Sequence, residues 1–367
     1  MAGERKIAFI ICSNNELYYN ECVWYIRNLH IPSGYETELI CITGAENIVQ
    51  AYNAAMVSSD AKYKIYLHQD VFIYHREFID DLLYLFQSNS RIGLIGMLGS
   101  DSLPQDAFLC SAWNAGSTYV CNYLTVSTST LCENQNRKRG WVEVKAVDGM
   151  LMATQYDINW REDLALGWDF YDVSQSLEFL RRGYLIAVPF QDKPWCMHDC
   201  GRSKMAHYDE VRKVILEEYR DFFSGEFYFK YNLEYQPAQE RIFLIIKGYM
   251  EQRKFEEALE IRKRIQNKAV GVNELQYALN LLDIYAEEKN RKSGTISFFS
   301  GTYTWNEMKD KFDTVKFAAR HAENGTNEDA VKKLTAAIEA GTISTEAVKV
   351  IVKHSVLDEK KALKRLI

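Results

Sequence analysis

KIAFIICSNNELYYNECVWYIRNL, residues 6–29, decides the fold class. Its first half is a short apolar run rich in strand-forming residues. Its second half changes period, with apolar residues spaced for one face of a helix. Polar SNNE lies between them, where a strand would stop and a helix start. The alternation then recurs. ETELICIT (36–43) reads as a strand and ENIVQAYNAAMVSS (46–59) as a helix. KYKIYLHQD (62–70) and REFIDDLLYLFQ (76–87) repeat the pair, and RIGLIGML (91–98) reads as a fourth strand. Such alternation predicts an α/β domain, a mostly parallel sheet between helices. Sheets of this kind bind ligands beyond the C-terminal ends of their strands. That rule marks Ser13–Glu16, Gly44–Glu46 and His68–Asp70 before any motif is considered.

From Gly99 to Gly140 the periodicity fades, and Cys110, Cys121 and Cys132 recur at equal spacing. This stretch reads as a long surface excursion, of a length that α/β domains use for lids and binding loops. WVEVKAVDGMLMATQYDI (141–158) returns to strand character. WDFYDVSQSLEFLRRG (168–183) reads as a helix stopped at Gly183, and YLIAVPF (184–190) as a strand leading into PWCMHDCG (194–201). After about Tyr235 the pattern becomes amphipathic and helical. QERIFLIIKGYMEQRKFEEALEIRKRI (239–265) resembles a tetratricopeptide-type hairpin, although no regular repeat follows. The expected organisation is therefore an α/β domain over residues 1–235 and an α-helical domain over 236–367, with residues 290–304 as a linker.

The 367 residues fit two domains. A net charge of −6 provides no general basic footprint, which argues against nucleic acid as a partner. No apolar run approaches the roughly 20 residues needed to span a bilayer. The opening MAGERKIAFIIC has basic residues before an apolar run, but the run is short and polar SNNE follows at once, so it reads as a core strand. The expected location is the cytoplasm, free or peripheral at the inner face of the membrane. The eight cysteines are scattered, as reduced thiols would be. Cys12 and Cys41 fall inside apolar runs and are expected in the core.

Three groups of residues could carry chemistry. His68-Gln69-Asp70 follows a strand, where a carboxylate either caps a turn or reaches the cleft to hold a divalent cation such as Mg²⁺ or Mn²⁺. Trp195-Cys196-Met197-His198-Asp199-Cys200-Gly201 could place Cys196, His198 and Cys200 on one face of an extended segment. No fourth ligand is evident, so a structural zinc ranks low. The third group is Asp148-Gly149 with Asp163, Asp169 and Asp172. Asp169 and Asp172 are spaced for one helical turn, so one could cap the helix while the other faces the cleft. Of the aromatic residues, Trp168 and Trp195 are singled out as possible neighbours of a site.

In this order, IAFIICSNNE, AYNAAM, AKYKIYLHQDVFI, VDGMLMAT, GWDFYDVSQSLEFLRRGY and WCMHDCG make Lys6–Gly201 resemble a family 2 glycosyltransferase. The resemblance is to the bacterial glycosyltransferase-like branch whose DXD motif reads HQD. It implies a GT-A type fold, with a mostly parallel, mixed sheet sandwiched by helices. It implies inverting transfer of a sugar from a nucleoside diphosphate sugar, UDP by analogy, to a hydroxyl of a saccharide, lipid-linked or protein acceptor. Asp70 would bind the metal, with His198 as the second contact to metal or diphosphate, and Asp172 would be the catalytic base. Ser13, Asn15 and Glu16 would line the nucleotide pocket, with Asn53 near it. Asp148 would sit on the sugar or acceptor side, and Gln69, Trp168 and Asp169 would complete the donor site. The helical domain lies outside the resemblance and is the expected place for a protein partner. Two other readings are weighed. A sugar-1-phosphate nucleotidyltransferase should carry a glycine-rich loop after its first strand, and ICSNNE has no glycine. A weakly catalytic sugar-nucleotide scaffold, acting through its helical domain, is the non-enzymatic alternative.

Overall fold

The computed structural model describes residues 3–109, 112–120, 140–199, 207–225, 235–265, 273–291, 296–302 and 304–367. The chain divides into two compact units, one within residues 1–230 and one built chiefly from 231–367. Cys110, Cys121, Cys132, Cys200 and Gly201 lie outside the described residues, as does most of 121–140.

In the first unit, β1 (Lys6–Ser13), β2 (Glu36–Thr43) and β3 (Tyr63–His68) pair in parallel, with β1 in the middle. The helices between them are α1 (Glu16–Arg27) and α2 (Ile48–Ser58). Asn15 and Asn47 cap these helices, each side chain accepting from backbone N–H groups of the first turn. β1 is covered on both faces, so Ile7–Ile11 form an unbroken buried run. β2 is the sheet edge, and Cys41 is exposed there rather than in the core. After β4 (Val71–Ile73) and α3 (Phe78–Ser88) come β5 (Ile92–Gly96) and the short strands β6 (Leu98–Ser100), β7 (Ala115–Gly116) and β8 (Tyr119–Val120). Next follow β9 (Trp141–Val144), β10 (Ala146–Val147), β11 (Leu151–Thr154), α4 (Tyr171–Arg181), β12 (Leu185–Pro189), β13 (Cys196–His198) and α5 (Tyr208–Glu218).

The main sheet has the order β2-β1-β3-β11-β5-β12-β9. β11 and β9 run against the other five, so the sheet is mixed but mostly parallel, as expected. A small sheet matters more to the site. β13 pairs antiparallel with β4, placing His198 opposite Val71, and the Asp199 N–H donates to the Asp70 carbonyl at 2.8 Å. The described part of 99–140 is not a surface excursion. Leu103, Ala107, Leu109 and Ala112 are buried in a cluster with α5. Single apolar residues among polar ones leave no period to detect.

The second unit has seven helices among its described residues: α6 (Tyr235–Glu251), α7 (Phe255–Arg264), α8 (Asn273–Lys289), α9 (Trp305–Asn324), α10 (Glu328–Glu339), α11 (Thr345–Ser355) and α12 (Glu359–Leu366). Thr304 and Glu307 close a reciprocal capping box at the start of α9. Part of the expected linker is core: Ser297–Phe299 are buried, whereas Asn290, Ser300, Gly301 and Thr304 are exposed. Phe298 and Phe299 are fully buried, and Glu288 accepts from the Phe298 N–H and from the Ser297 and Ser344 hydroxyls. Among the described residues no helix is long and apolar enough to cross a membrane.

Candidate active site

The ends of β1, β2 and β3 meet in one pocket of about 240 Å³. Ser13 and Asn14, Gly44 and Ala45, and His68 to Asp70 all line it, so the three places marked by strand ends converge. Tyr52 of α2 forms part of its wall, and its buried hydroxyl has no hydrogen-bond partner among the described residues. Trp168 stands at the pocket with its ring half exposed.

Gln69 ties this edge together. Its Oε1 accepts from Ser13 Oγ at 2.9 Å, Asn14 N at 3.1 Å and Asn15 N at 2.9 Å, and its Nε2 donates to Asn14 Oδ1 at 2.6 Å. The side chain is thus occupied in holding the loop after β1. Asn15 spends its own side chain on capping α1. Glu16, the first residue of that helix, is exposed and does not line the pocket. Asn53 faces elsewhere. Its amide bonds the Trp160 carbonyl at 3.0 Å, the Trp160 N–H at 2.9 Å and Glu162 at 2.6 Å.

Asp70 and His198 come together through the β4–β13 pairing, with 3.5 Å between Asp70 Oδ1 and His198 Nε2. His68 joins them, its Nδ1 4.0 Å from the same oxygen. One ligand atom from each of the three lies within 4.8 Å of the others. Burial alone would raise the Asp70 carboxyl, but His198 and His68 outweigh it and hold it below the ordinary aspartate range. Burial opposes a charge on His198, and Asp70 outweighs that and moves its pKa up. His68 moves down, because burial acts more strongly on it than Asp70 does. Two imidazoles and one carboxylate converging on one point form a donor set suited to Mn²⁺ and other first-row divalent cations more than to Mg²⁺, which favours all-oxygen sites. The residues present therefore fit a metal ion.

The acidic side of the site is built at the start of α4. Phe170 precedes that helix in the left-handed region at φ 56°, a costly conformation for a bulky residue. The helix starts only at Tyr171, so Asp169 lies before it and the expected one-turn pairing with Asp172 does not form. Asp169 is half-buried, and burial raises its carboxyl. Asp172 accepts from the Gly149 N–H at 2.8 Å and the Val173 N–H at 2.8 Å. Burial, then the nearby charge of Asp148, push its pKa up to about 7. Asp148 itself accepts from the Met150 N–H at 2.9 Å. Replacing Asp148 by Asn removes the second cause, so the Asp172 carboxyl should titrate at lower pH. Carboxyl NMR of the variant checks this, and an unmoved Asp172 titration would show that Asp148 does not act on it.

Asp163 is held at the surface by Arg161, at 2.8 and 2.7 Å. Trp195 is buried and stacked on His75 with ring centroids 4.5 Å apart, so it packs the interior rather than the cleft. Sequence reasoning marked the His68–Asp70 segment but assigned no metal-binding role to His68 itself or to Tyr171. The available signal for His68 was its position at the end of β3, two residues before Asp70 across a turn.

The profile of a family described as a glycosyltransferase-like family matches residues 8–219, more than half of the chain. The chain belongs to this family. It is a glycosyltransferase, and the matched residues contain the whole pocket, the His68–Asp70–His198 group and the start of α4. No curated protein matches the sequence. Among solved structures, the crystal structure of A197 from STIV is similar at a TM-score of 0.30 and 10% identity, over 54% of this chain and 96% of that one. A similarity of that size does not define a shared fold.

Proposed function

We propose that this glycosyltransferase moves a sugar, with inversion, from a nucleoside diphosphate sugar to an acceptor hydroxyl. UDP is the first nucleotide to test. One observation carries the reading: the strand-end pocket and the two-histidine, one-carboxylate group share His68 and Asp70, and the His68–Tyr171 contact joins them to the start of α4, where Asp172 stands. Ser13 and Asn14, in the loop held by Gln69, line the pocket on the side offered to the nucleotide. Trp168 offers an exposed ring at the same pocket. His68, Asp70 and His198 would hold a divalent cation, which when bound would offset the charge gained by the departing diphosphate. Asp172 takes the proton of the acceptor hydroxyl as that oxygen attacks. A single base on the face opposite the leaving group gives direct displacement, so no carboxylate nucleophile is required. Asp148 stands on the sugar or acceptor side, where it keeps Asp172 basic. The helical unit recruits the acceptor, whether saccharide, lipid-linked or protein, or a protein partner, and adds no group to the chemistry.

A panel of UDP-sugars with Mn²⁺ tests this. Release of UDP from at least one donor, raised by Mn²⁺ and accompanied by an inverted anomeric centre in the product, is the expected result. A product with retained configuration would remove the mechanism, and release equally fast under chelation would remove the metal.

A further inference from the structure

The residue before the proposed base is joined to the proposed metal group. Tyr171 is buried at the first position of α4, and its hydroxyl lies 2.5 Å from His68 Nε2. The two ring nitrogens of His68 therefore have separate tasks. Nδ1 is on the Asp70 side, and Nε2 meets the tyrosine. A cation bound with Asp70 and His198 needs a lone pair on Nδ1. In a neutral imidazole the proton must then sit on Nε2, where it needs an acceptor. The Tyr171 oxygen is in place to be that acceptor. The surroundings hold it there. A Cβ at Gly149 would lie 2.2 Å from the Tyr171 hydroxyl, so the ring occupies space that only glycine leaves free. The ring also packs against Tyr52 and Trp160, at 6.1 Å from each centroid.

We propose that Tyr171 is a positioning residue for metal binding: its hydroxyl accepts the Nε2 proton of His68, fixing the tautomer and the ring angle that turn Nδ1 toward the ion. The proposal rests on the reading of His68, Asp70 and His198 as metal ligands. It goes beyond that reading in giving a task to a side chain outside the ligand set. It also makes one helix start serve both halves of the site. Tyr171 orients a ligand on the donor side, while its neighbour Asp172 is held by the Gly149 N–H on the acceptor side.

The experiment is a titration of the full chain with Mn²⁺ followed by electron paramagnetic resonance, which reads binding without turnover. Partners of ligating histidines typically contribute 10- to 100-fold to metal affinity. Tyr171→Phe keeps the ring and removes only the hydroxyl, so Mn²⁺ should bind about 10- to 100-fold more weakly. The double-mutant cycle with His68→Ala separates positioning from packing. If Tyr171 acts through His68, Tyr171→Phe adds no further loss once His68 is gone. Equal losses in both backgrounds would mean that the hydroxyl supports the fold in general, and would overturn the proposal. Wild-type affinity in Tyr171→Phe would also overturn it, with the metal reading left standing if Asp70→Ala abolishes binding. Mn²⁺ binding that Asp70→Ala leaves intact would instead overturn the metal reading, and this proposal with it.

Discussion

Asp172→Asn is expected to lower the rate of sugar transfer by about 10²–10⁴-fold, the usual contribution of a positioned general base. Nucleotide and metal binding should stay near normal. The base acts in the transition state, so the loss should appear in kcat more than in KM. The fold should tolerate the change. Both carboxylate oxygens accept backbone N–H groups, from Gly149 and Val173, and an amide can accept only one of them. That lost bond costs about 1–3 kcal/mol, offset by removing a charge that burial and Asp148 disfavour. The pH dependence gives a second signature. A base must be ionised to work, so a carboxyl titrating near 7 makes wild-type transfer rise with pH through neutrality. Asp172→Asn should lose that limb. Stability should run the other way. The native pKa of about 7 lies above the ordinary 3.8, so the native state binds the proton more tightly. The resulting stability is fully present below about 3.8 and is lost as pH rises through about 7. Asp169→Asn should be the milder change in transfer. If it is inactive but folded while Asp172→Asn transfers at the normal rate, the base is Asp169. If both variants keep the rate, direct displacement with a base at this helix start does not apply.

The strand ends were legible because the sheet makes them so. Apolar runs ending in SNNE, TGAE and HQD name three corners of one pocket without any knowledge of their partners. Asn53 shows the limit. AYNAAM lies on a helix where neighbours differ by about 100°, so Tyr52 faces the pocket and Asn53 turns to Trp160. Which of two adjacent residues faces the ligand depends on how the helix sits on the sheet, and one sequence does not state that. His198 was placed beside Asp70 only through the family resemblance. The physical link is the pairing of two three-residue strands, Val71–Ile73 and Cys196–His198, too short to carry a period. Asp169 and Asp172 depended on where a helix starts. The left-handed backbone at Ala165, Gly167 and Phe170 delays that start to Tyr171. Only the glycine in that series advertises such a conformation. Phe298 and Phe299 are buried without a helical or strand period, and so the segment resembled a linker.

Asp70→Ala is expected to abolish the metal-dependent part of nucleotide binding. Asp70 is the only carboxylate in the group, and its oxygen is the point that both imidazoles face, at 3.5 and 4.0 Å. Without it two imidazoles remain, and they hold a hard divalent cation poorly without an anionic oxygen. The mutation should leave the fold intact, because the Asp70 backbone carbonyl, not its side chain, accepts from Asp199 and continues the β4–β13 pairing. His198 would lose the strongest of the carboxylate influences that raise its pKa, leaving Asp148 and Asp199 against the opposing effect of burial. The measurement is thermal unfolding with UDP, with and without Mn²⁺. A ligand at 100 times its dissociation constant adds about 2.7 kcal/mol to stability. Wild type should gain that much at a saturating Mn²⁺–UDP level, and Asp70→Ala should gain no more with Mn²⁺ than without it. His68→Ala should keep part of the gain, since Asp70 and His198 still face each other. A full Mn²⁺-dependent gain in Asp70→Ala would mean that the ion reaches the diphosphate through other groups, and the strand-end trio would then be a hydrogen-bonded cluster without a metal.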